Sequence, residues 1–321
     1  MKIAYLLKAR PDLEGNIPDD VEAVRIEAGK DGLYTADDLA RVQDMDAFVV
    51  HKEPVNEQIL AAAPGLRIVQ RLGAGYETLD LEATARRKIP ACNIEGVNKD
   101  AVAEHAMMFM LALAKQFLPI QAHTQAADWQ SAHKLTSCSF EVKGKTLGII
   151  GFGHTGSALA IRAHAFDMEI LYNDLVDVNA DLASRLGARR VDKATLFAQS
   201  DFVSISTDLN QYSRGMINAA TLDLMRPSAR LVCCARGGII DESALTEALK
   251  AGTIAAAAID VFETEPILSE NPLIGLENCL LTAHVAGVAS DTMARIWEWA
   301  HDNVRAVVLR GERPRWIRNG L

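Results

Sequence analysis

Residues 151–156 read Gly-Phe-Gly-His-Thr-Gly. Glycines at this spacing carry chemistry only where a buried strand precedes them and a helix follows, so that backbone amides and the positive end of the helix dipole meet a pyrophosphate. Both flanks are present: Leu147-Gly148-Ile149-Ile150 before the turn and the helical stretch Ser157–Ala165 after it. Gly151 permits the tight turn, Gly153 lets amides approach a phosphate, and Gly156 lets helix and strand pack closely. Phe152, His154 and Thr155 complete this expected cofactor-binding turn. A second strand ends at Asp174, 18 residues beyond Gly156, with no Arg or Lys in the ten residues after it. A carboxylate there accepts both ribose hydroxyls of NAD and repels the 2′-phosphate of NADP, so NAD is the expected cofactor.

Three ionisable residues of another kind lie downstream. Arg236 ends the strand Leu231–Ala235, Glu265 stands just past the strand Ala256–Asp260, and His284 follows the strand Cys279–Thr282. Open α/β sheets bind ligands outside the carboxyl ends of their strands. Reduction of a keto acid needs a proton donor for the nascent alkoxide and a cation for the carboxylate, and His284 and Arg236 are residues of those types. Glu265 would hydrogen-bond the imidazole and favour its charged form. Taken singly, each also has a plain reading as a surface ion pair, a loop carboxylate and a capping residue, and spacing alone leaves both readings open.

These residues need a scaffold, and the chain alternates short apolar runs with helical patterns from end to end, as parallel sheets with crossover helices do. Strands are expected at Lys2–Leu7, Ala47–Val50, Leu66–Arg71 and Ala91–Ile94, then a helix over Lys99–Leu118, capped by Asn98 and stopped by Pro119. Six strands follow: Leu147–Gly151, Glu169–Asn173, Phe202–Ser206, Leu231–Ala235, Ala256–Asp260 and Cys279–Thr282. A helix over Ser290–Leu309 comes last. A chain of 321 residues with this pattern implies two domains. The net charge of −9 argues against nucleic acid or an anionic membrane as a partner. Five scattered cysteines without zinc spacing point to reduced thiols, no metal site and a cytoplasmic protein. The N-terminal apolar run ends at Lys8, too short for a secretory signal, and no uncharged run is long enough for a membrane span.

Along nearly its whole length the sequence resembles the D-isomer-specific 2-hydroxyacid dehydrogenase family. The matching segments are RLGAGYETLD (71–80), VAEHAMMFMLAL (102–113), GKTLGIIGFGHTG (144–156), ARGGIIDESAL (235–245), AAIDVFETEP (257–266) and LLTAHVAG (280–287). The resemblance implies a hydride transfer between NAD(H) and a small 2-hydroxy or 2-keto acid, D-specific, with Arg236, Glu265 and His284 as the catalytic set. It extends the cofactor contacts to Thr207, Ala235, Asp260, His284 and Ala286. It places the substrate at Leu72, Gly73, Ala74 and Gly75 together with Arg236 and His284; consecutive amides around glycines can form an anion nest. The implied fold is a Rossmann cofactor domain, 99–286, inserted into a flavodoxin-like substrate domain, 1–98 plus 287–321, with the site in a cleft. A homodimer with contacts near 119–143 is implied too.

Three positions depart from the family pattern: Ala283 stands where Pro commonly precedes the catalytic His, Asp208 where a Pro is common, and Cys233 where Asn is frequent. His105, beside Glu104 in an apolar helix, reads as a satisfied core or interdomain histidine, and His301 has no partner pattern. His51 and Lys52 follow a strand end that faces the cleft in the family layout, which makes them candidates for specificity. Two alternatives remain beside the leading reading. One is a 3-phosphoglycerate-type dehydrogenase; the other is a non-enzymatic NAD-sensing interaction protein on the same fold.

Overall fold

Two parallel sheets take up the alternating apolar runs. The computed structural model describes residues 1–8, 17–176 and 178–321. The chain divides into one unit of Met1–Asn98 with Ala289–Leu321 and a second of Lys99–Val288.

In the first unit the strands are β1 (Lys2–Leu6), β2 (Glu22–Ile26), β3 (Ala47–Val50), β4 (Ile68–Arg71) and β5 (Ala91–Cys92), in the order β2-β1-β3-β4-β5. That is the flavodoxin-like winding. β1 and β3 are central and covered on both faces, which is why they read as unbroken apolar runs. Val42, Ile59, Leu60 and Ala83 cover one face. The helix Ser290–Val308 covers the other, laying Ile296, Trp297, Ala300 and Val304 against Ile3, Tyr5, Val49 and Ile68.

The second unit holds β6 (Thr146–Ile150), β7 (Glu169–Asn173), β8 (Arg189–Arg190), β9 (Phe202–Ile205), β10 (Arg230–Cys233), β11 (Ala256–Ile259) and β12 (Cys279–Leu281). Their order is β12-β11-β10-β9-β6-β7-β8, all parallel. The winding reverses between β6 and β9, and the crevice at that switch is where such sheets bind dinucleotides. Helices Lys99–Ala114 and His154–Ala165 share one apolar cluster on a face of this sheet through Ala103, Met107, Leu159 and Ala163.

The structure corrects three expectations. The second sheet has seven strands, not six, because Arg189 and Arg190 pair with Leu171 and Tyr172 at the edge. β2 also escaped the sequence pattern: its residues EAVRI are largely exposed on an edge, so no apolar run marks it. The helix expected over Lys99–Leu118 ends at Ala114. Gln116 turns left-handed with φ 53°, and a new helix, Phe117–Gln125, contains Pro119 in its first turn. Proline starts this helix instead of stopping the previous one, since first-turn amides have no helical acceptor to lose. Among the described residues no single helix is long and apolar enough to cross a membrane.

Candidate active site

The glycine turn follows β6 directly, and each glycine answers a different constraint. Gly151 has φ 89°, and a Cβ there would sit 2.7 Å from the Ser206 carbonyl oxygen and 2.9 Å from the Thr207 nitrogen beyond β9. A Cβ on Gly156 would overlap the Gly151 carbonyl oxygen and meet the Ile149 side chain at 3.1 Å. Gly153, by contrast, has an ordinary φ of −72° and nothing within 4 Å of a built Cβ. Its bareness serves no packing and leaves the amides at the start of the 12-residue helix His154–Ala165 open to a ligand. Phe152 turns inward against Tyr172, with ring centroids 4.3 Å apart, while His154 is exposed and Thr155 partly so.

Asp174 stands after β7, and its carboxylate closes the turn by accepting from the Phe152 amide at 2.6 Å and the Val176 amide at 3.1 Å. The pocket at the switch is lined by Gly151, Asn173, Asp174, Thr207, Tyr212 and Met216. A cradle without Cβ atoms, open helix amides and a carboxylate at the second strand's end together fit a dinucleotide. Sequence reasoning missed Arg190. Sixteen residues away along the chain, it is brought alongside by β8, and its Nη2 donates to the Asp174 carbonyl at 2.8 Å.

β10, β11 and β12 are neighbours, and their carboxyl ends carry Arg236, Glu265 and His284. His284 Nδ1 lies 2.7 Å from Glu265 Oε2, and Glu265 Oε1 accepts from the Phe262 amide at 3.1 Å. A carboxylate accepts, so Nδ1 carries the proton of this bond and Nε2 is left for another partner. About two fifths of the imidazole is exposed (43%), so a small molecule can reach it. Its backbone is left-handed, φ 53°, a region that non-glycine residues enter only when their surroundings compel it. Asp260 supplies the compulsion. The residue is fully buried, and its carbonyl accepts from the His284 amide at 2.7 Å. Its carboxylate accepts from the Val285 and Ala286 amides, each at 2.9 Å, and from the Thr282 hydroxyl at 2.5 Å.

Arg236 leaves β10 in an extended conformation, and its Nη1 donates to the Ala235 carbonyl at 2.8 Å. A Cβ on the next residue, Gly237, would overlap the Phe262 carbonyl oxygen, so the backbone after Arg236 lies directly on the loop that leads to Glu265. The structure thus gathers the three side chains on adjacent strand ends and joins two of them by a hydrogen bond. Of the departures from the family pattern, Cys233 is fully buried, and burial pushes its thiol up to about 11, so it behaves as a small apolar residue. The Asp208 carbonyl accepts from the Ser213 hydroxyl at 2.6 Å and helps close the loop after β9.

In the first unit, Leu72–Gly75 follow β4. Three successive carbonyls are held from within that unit: Leu72 by Arg71 Nη1 at 2.7 Å, Gly73 by the Ile94 amide at 2.9 Å, and Ala74 by Asn93 Nδ2 at 2.6 Å. Gly73 has φ 109°. Among the described residues no protein acceptor engages the amides of Gly73, Ala74 or Gly75. Consecutive amides left in this way make a nest for an anion. Asn93, buried and distant in sequence, gave no signal of this task.

A glycine turn at a topological switch and a His–Glu pair at the far strands of one sheet place the chain in a known class. It belongs to the D-isomer specific 2-hydroxyacid dehydrogenase family, whose NAD binding domain matches residues 107–286. It is accordingly an NAD(P)-dependent oxidoreductase that uses NAD(H). A glyoxylate reductase from Korarchaeum cryptofilum is 37% identical over 278 residues, 86% of this chain and 83% of that protein. A D-3-phosphoglycerate dehydrogenase from Archaeoglobus fulgidus is 34% identical over 268 residues, but those make up 83% of this chain and only 50% of that longer protein. Among solved structures, the holo form of Rhodotorula graminis D-mandelate dehydrogenase matches with a TM-score of 0.87 at 26% identity, covering 99% of this chain and 97% of that one.

Proposed function

We propose that the protein reduces a small 2-keto acid to the D-2-hydroxy acid, with His284 as the proton donor, Glu265 as its partner and Arg236 as the substrate's cation. The His284–Glu265 hydrogen bond at the strand ends of the dinucleotide-binding unit carries this reading. NAD(H), when bound, supplies the hydride. His284 holds the proton to be transferred on Nε2 and passes it to the carbonyl oxygen as charge develops there. The Nδ1–H stays on Glu265, whose negative charge offsets the imidazolium before transfer. The Arg236 guanidinium can grip a carboxylate with two parallel bonds and polarise the adjacent carbonyl. In the first unit, the amides of Gly73, Ala74 and Gly75 suit the substrate's carboxylate. Asp174 favours NADH over NADPH through repulsion of a 2′-phosphate. The glyoxylate reductases among the relatives support a short substrate chain. A homodimer in the cytoplasm is part of the same proposal.

The test is a panel of 2-keto acids, including a 3-phosphorylated one, assayed with NADH and with NADPH. We expect turnover of short unphosphorylated acids, a higher kcat/KM with NADH, and a loss of roughly 10²–10⁴-fold in kcat for His284→Ala. Silence across the panel, despite tight NADH binding, would favour an NAD-sensing role instead. Undiminished turnover by the His284 variant would remove it as the donor.

A further inference from the structure

Asp260 and Thr282 leave adjacent strands side by side, because Ile259 pairs with Leu281 in register. The Thr282 hydroxyl has one proton and two neighbours. Its oxygen is 2.5 Å from Asp260 Oδ1 and 3.1 Å from His105 Nε2, which comes from the helix Lys99–Ala114. The proton goes to the carboxylate, so the hydroxyl oxygen must accept from the imidazole, and the His105 proton sits on Nε2. Burial lowers the histidine's pKa, against the pull of Asp260, and keeps the ring neutral near pH 7. Phe109 holds that ring edge-on, with centroids 4.5 Å apart. Donors therefore converge on Asp260 from two sides: His105 donates to Thr282 and Thr282 to the carboxylate, while the amides of Val285 and Ala286 donate to it from the loop.

We infer that His105 and Thr282 are positioning residues for His284, acting through Asp260. The inference rests on His284 being the proton donor. The left-handed His284 has two tethers, its ring on Glu265 and its backbone on Asp260. The carboxylate can template the loop only while its own rotation is fixed. Thr282 fixes it by occupying Oδ1 from the strand side, and His105 fixes the direction of the Thr282 hydroxyl. Without the hydroxyl the carboxylate turns, the Val285 and Ala286 amides lose their aim, and Nε2 drifts from the reacting oxygen. A displacement of about 1 Å is enough to lower turnover on the order of 10²-fold.

Thr282→Val keeps the shape and removes the hydroxyl; Thr282→Ser keeps the hydroxyl and removes the methyl. We expect the Val variant to lose roughly 10–100-fold in kcat with a smaller change in the KM of the keto acid, and the Ser variant to recover most of it. His105→Leu, which removes the donor to Thr282, should lose kcat in the same direction and by less. A readout free of turnover comes from ¹⁵N-labelled histidine: the Nδ1–H resonance of His284 reports the bond to Glu265 directly. It should shift or broaden in Thr282→Val and return in Thr282→Ser, with melting temperatures confirming that each variant is folded. Wild-type kcat and an unmoved resonance in the Val variant would overturn the inference. So would a Ser variant as impaired as Val, which would assign the effect to methyl packing. A moved resonance with His284→Ala still fully active would leave the brace standing and remove the proton-donor reading.

Discussion

Both units place a glycine loop after a central strand, and the two loops are shaped by opposite means. Gly151–Gly156 is held by exclusion: no Cβ fits at Gly151 or Gly156, and the helix that follows begins at once. Leu72–Gly75 is held by attachment. A Cβ on Gly73 would meet nothing within 4 Å, and the loop's shape comes from donors on Arg71, Asn93 and Ile94. Beneath the first loop lies apolar packing around Ile149, Leu159 and Tyr172. Beneath the second lies a buried polar layer in which Asn303 donates to Gln70 at 2.6 Å, Gln70 donates to the Asn93 carbonyl at 3.2 Å, and Arg318 donates to Asn93 at 2.9 Å. The two loops thus owe their shapes to different sources, one to helix geometry, which is local, and the other to side-chain donors gathered across a fold.

The sharpest way to break the comparison is at Gly156. Gly156→Val drives a side chain into the Gly151 carbonyl, and we expect NADH affinity to fall by at least about 100-fold, with a lower melting temperature, since overpacking costs about 1–3 kcal/mol or more. Gly153→Ala, where nothing crowds the Cβ, should instead keep its melting temperature and lose affinity alone. Equal effects in the two variants, by fluorescence titration and thermal melts, would mean that exclusion is not what shapes this loop. A smaller effect is expected at Asn93. Asn93→Ala leaves the Ala74 carbonyl without its donor, at a cost of about 1–3 kcal/mol, and should raise the KM of the keto acid without changing NADH binding. A raised NADH dissociation constant would count against the division of labour between the loops.

The smallest effect concerns pH. His301, in the helix beneath the second loop, is buried and bonded to the Tyr5 hydroxyl at 2.9 Å; burial, aided by Arg305, lowers its pKa to about 4. The folded ring stays neutral while an unfolded one takes a proton near pH 6.5. Stability is therefore lost as pH falls through about 6.5, and the loss levels off below about 4. By pH 5 it amounts to about 2 kcal/mol. His301→Phe should flatten the pH dependence of the first unit's unfolding between pH 7 and 5, read by denaturant titration. An unchanged slope would show that this histidine is not what senses acid.

The same contrast decides what could be read from the sequence. The glycine turn was legible because helix and strand demand glycine at fixed local offsets. The central strands were legible because two covered faces make a continuous apolar run. β2 and β8 were not, being exposed edges with charged residues. The candidate site residues stood out by type, as ionisable groups after strands, and the family resemblance supplied their roles. The way they are held is invisible in the sequence: Asp260 gathers residues 282–286, His105 reaches Thr282 across 177 positions, and Arg190 returns to Asp174 through strand pairing. His301 looked unpartnered because its partner, Tyr5, is 296 residues away.

The helix Ser290–Val308 closes one face of a sheet whose strands all lie within the first 98 residues. A ribosome makes those strands first and that helix last, with the whole of Lys99–Val288 emerging in between. The nascent protein must carry Ile3, Tyr5, Val49 and Ile68 uncovered for the time it takes to translate the second unit. The dinucleotide unit has its full sequence while its neighbour waits for a lid. Chains stalled before residue 289 are therefore expected to aggregate more readily than the full chain, a cost of splitting one domain around another that a truncation at Val288 would reveal.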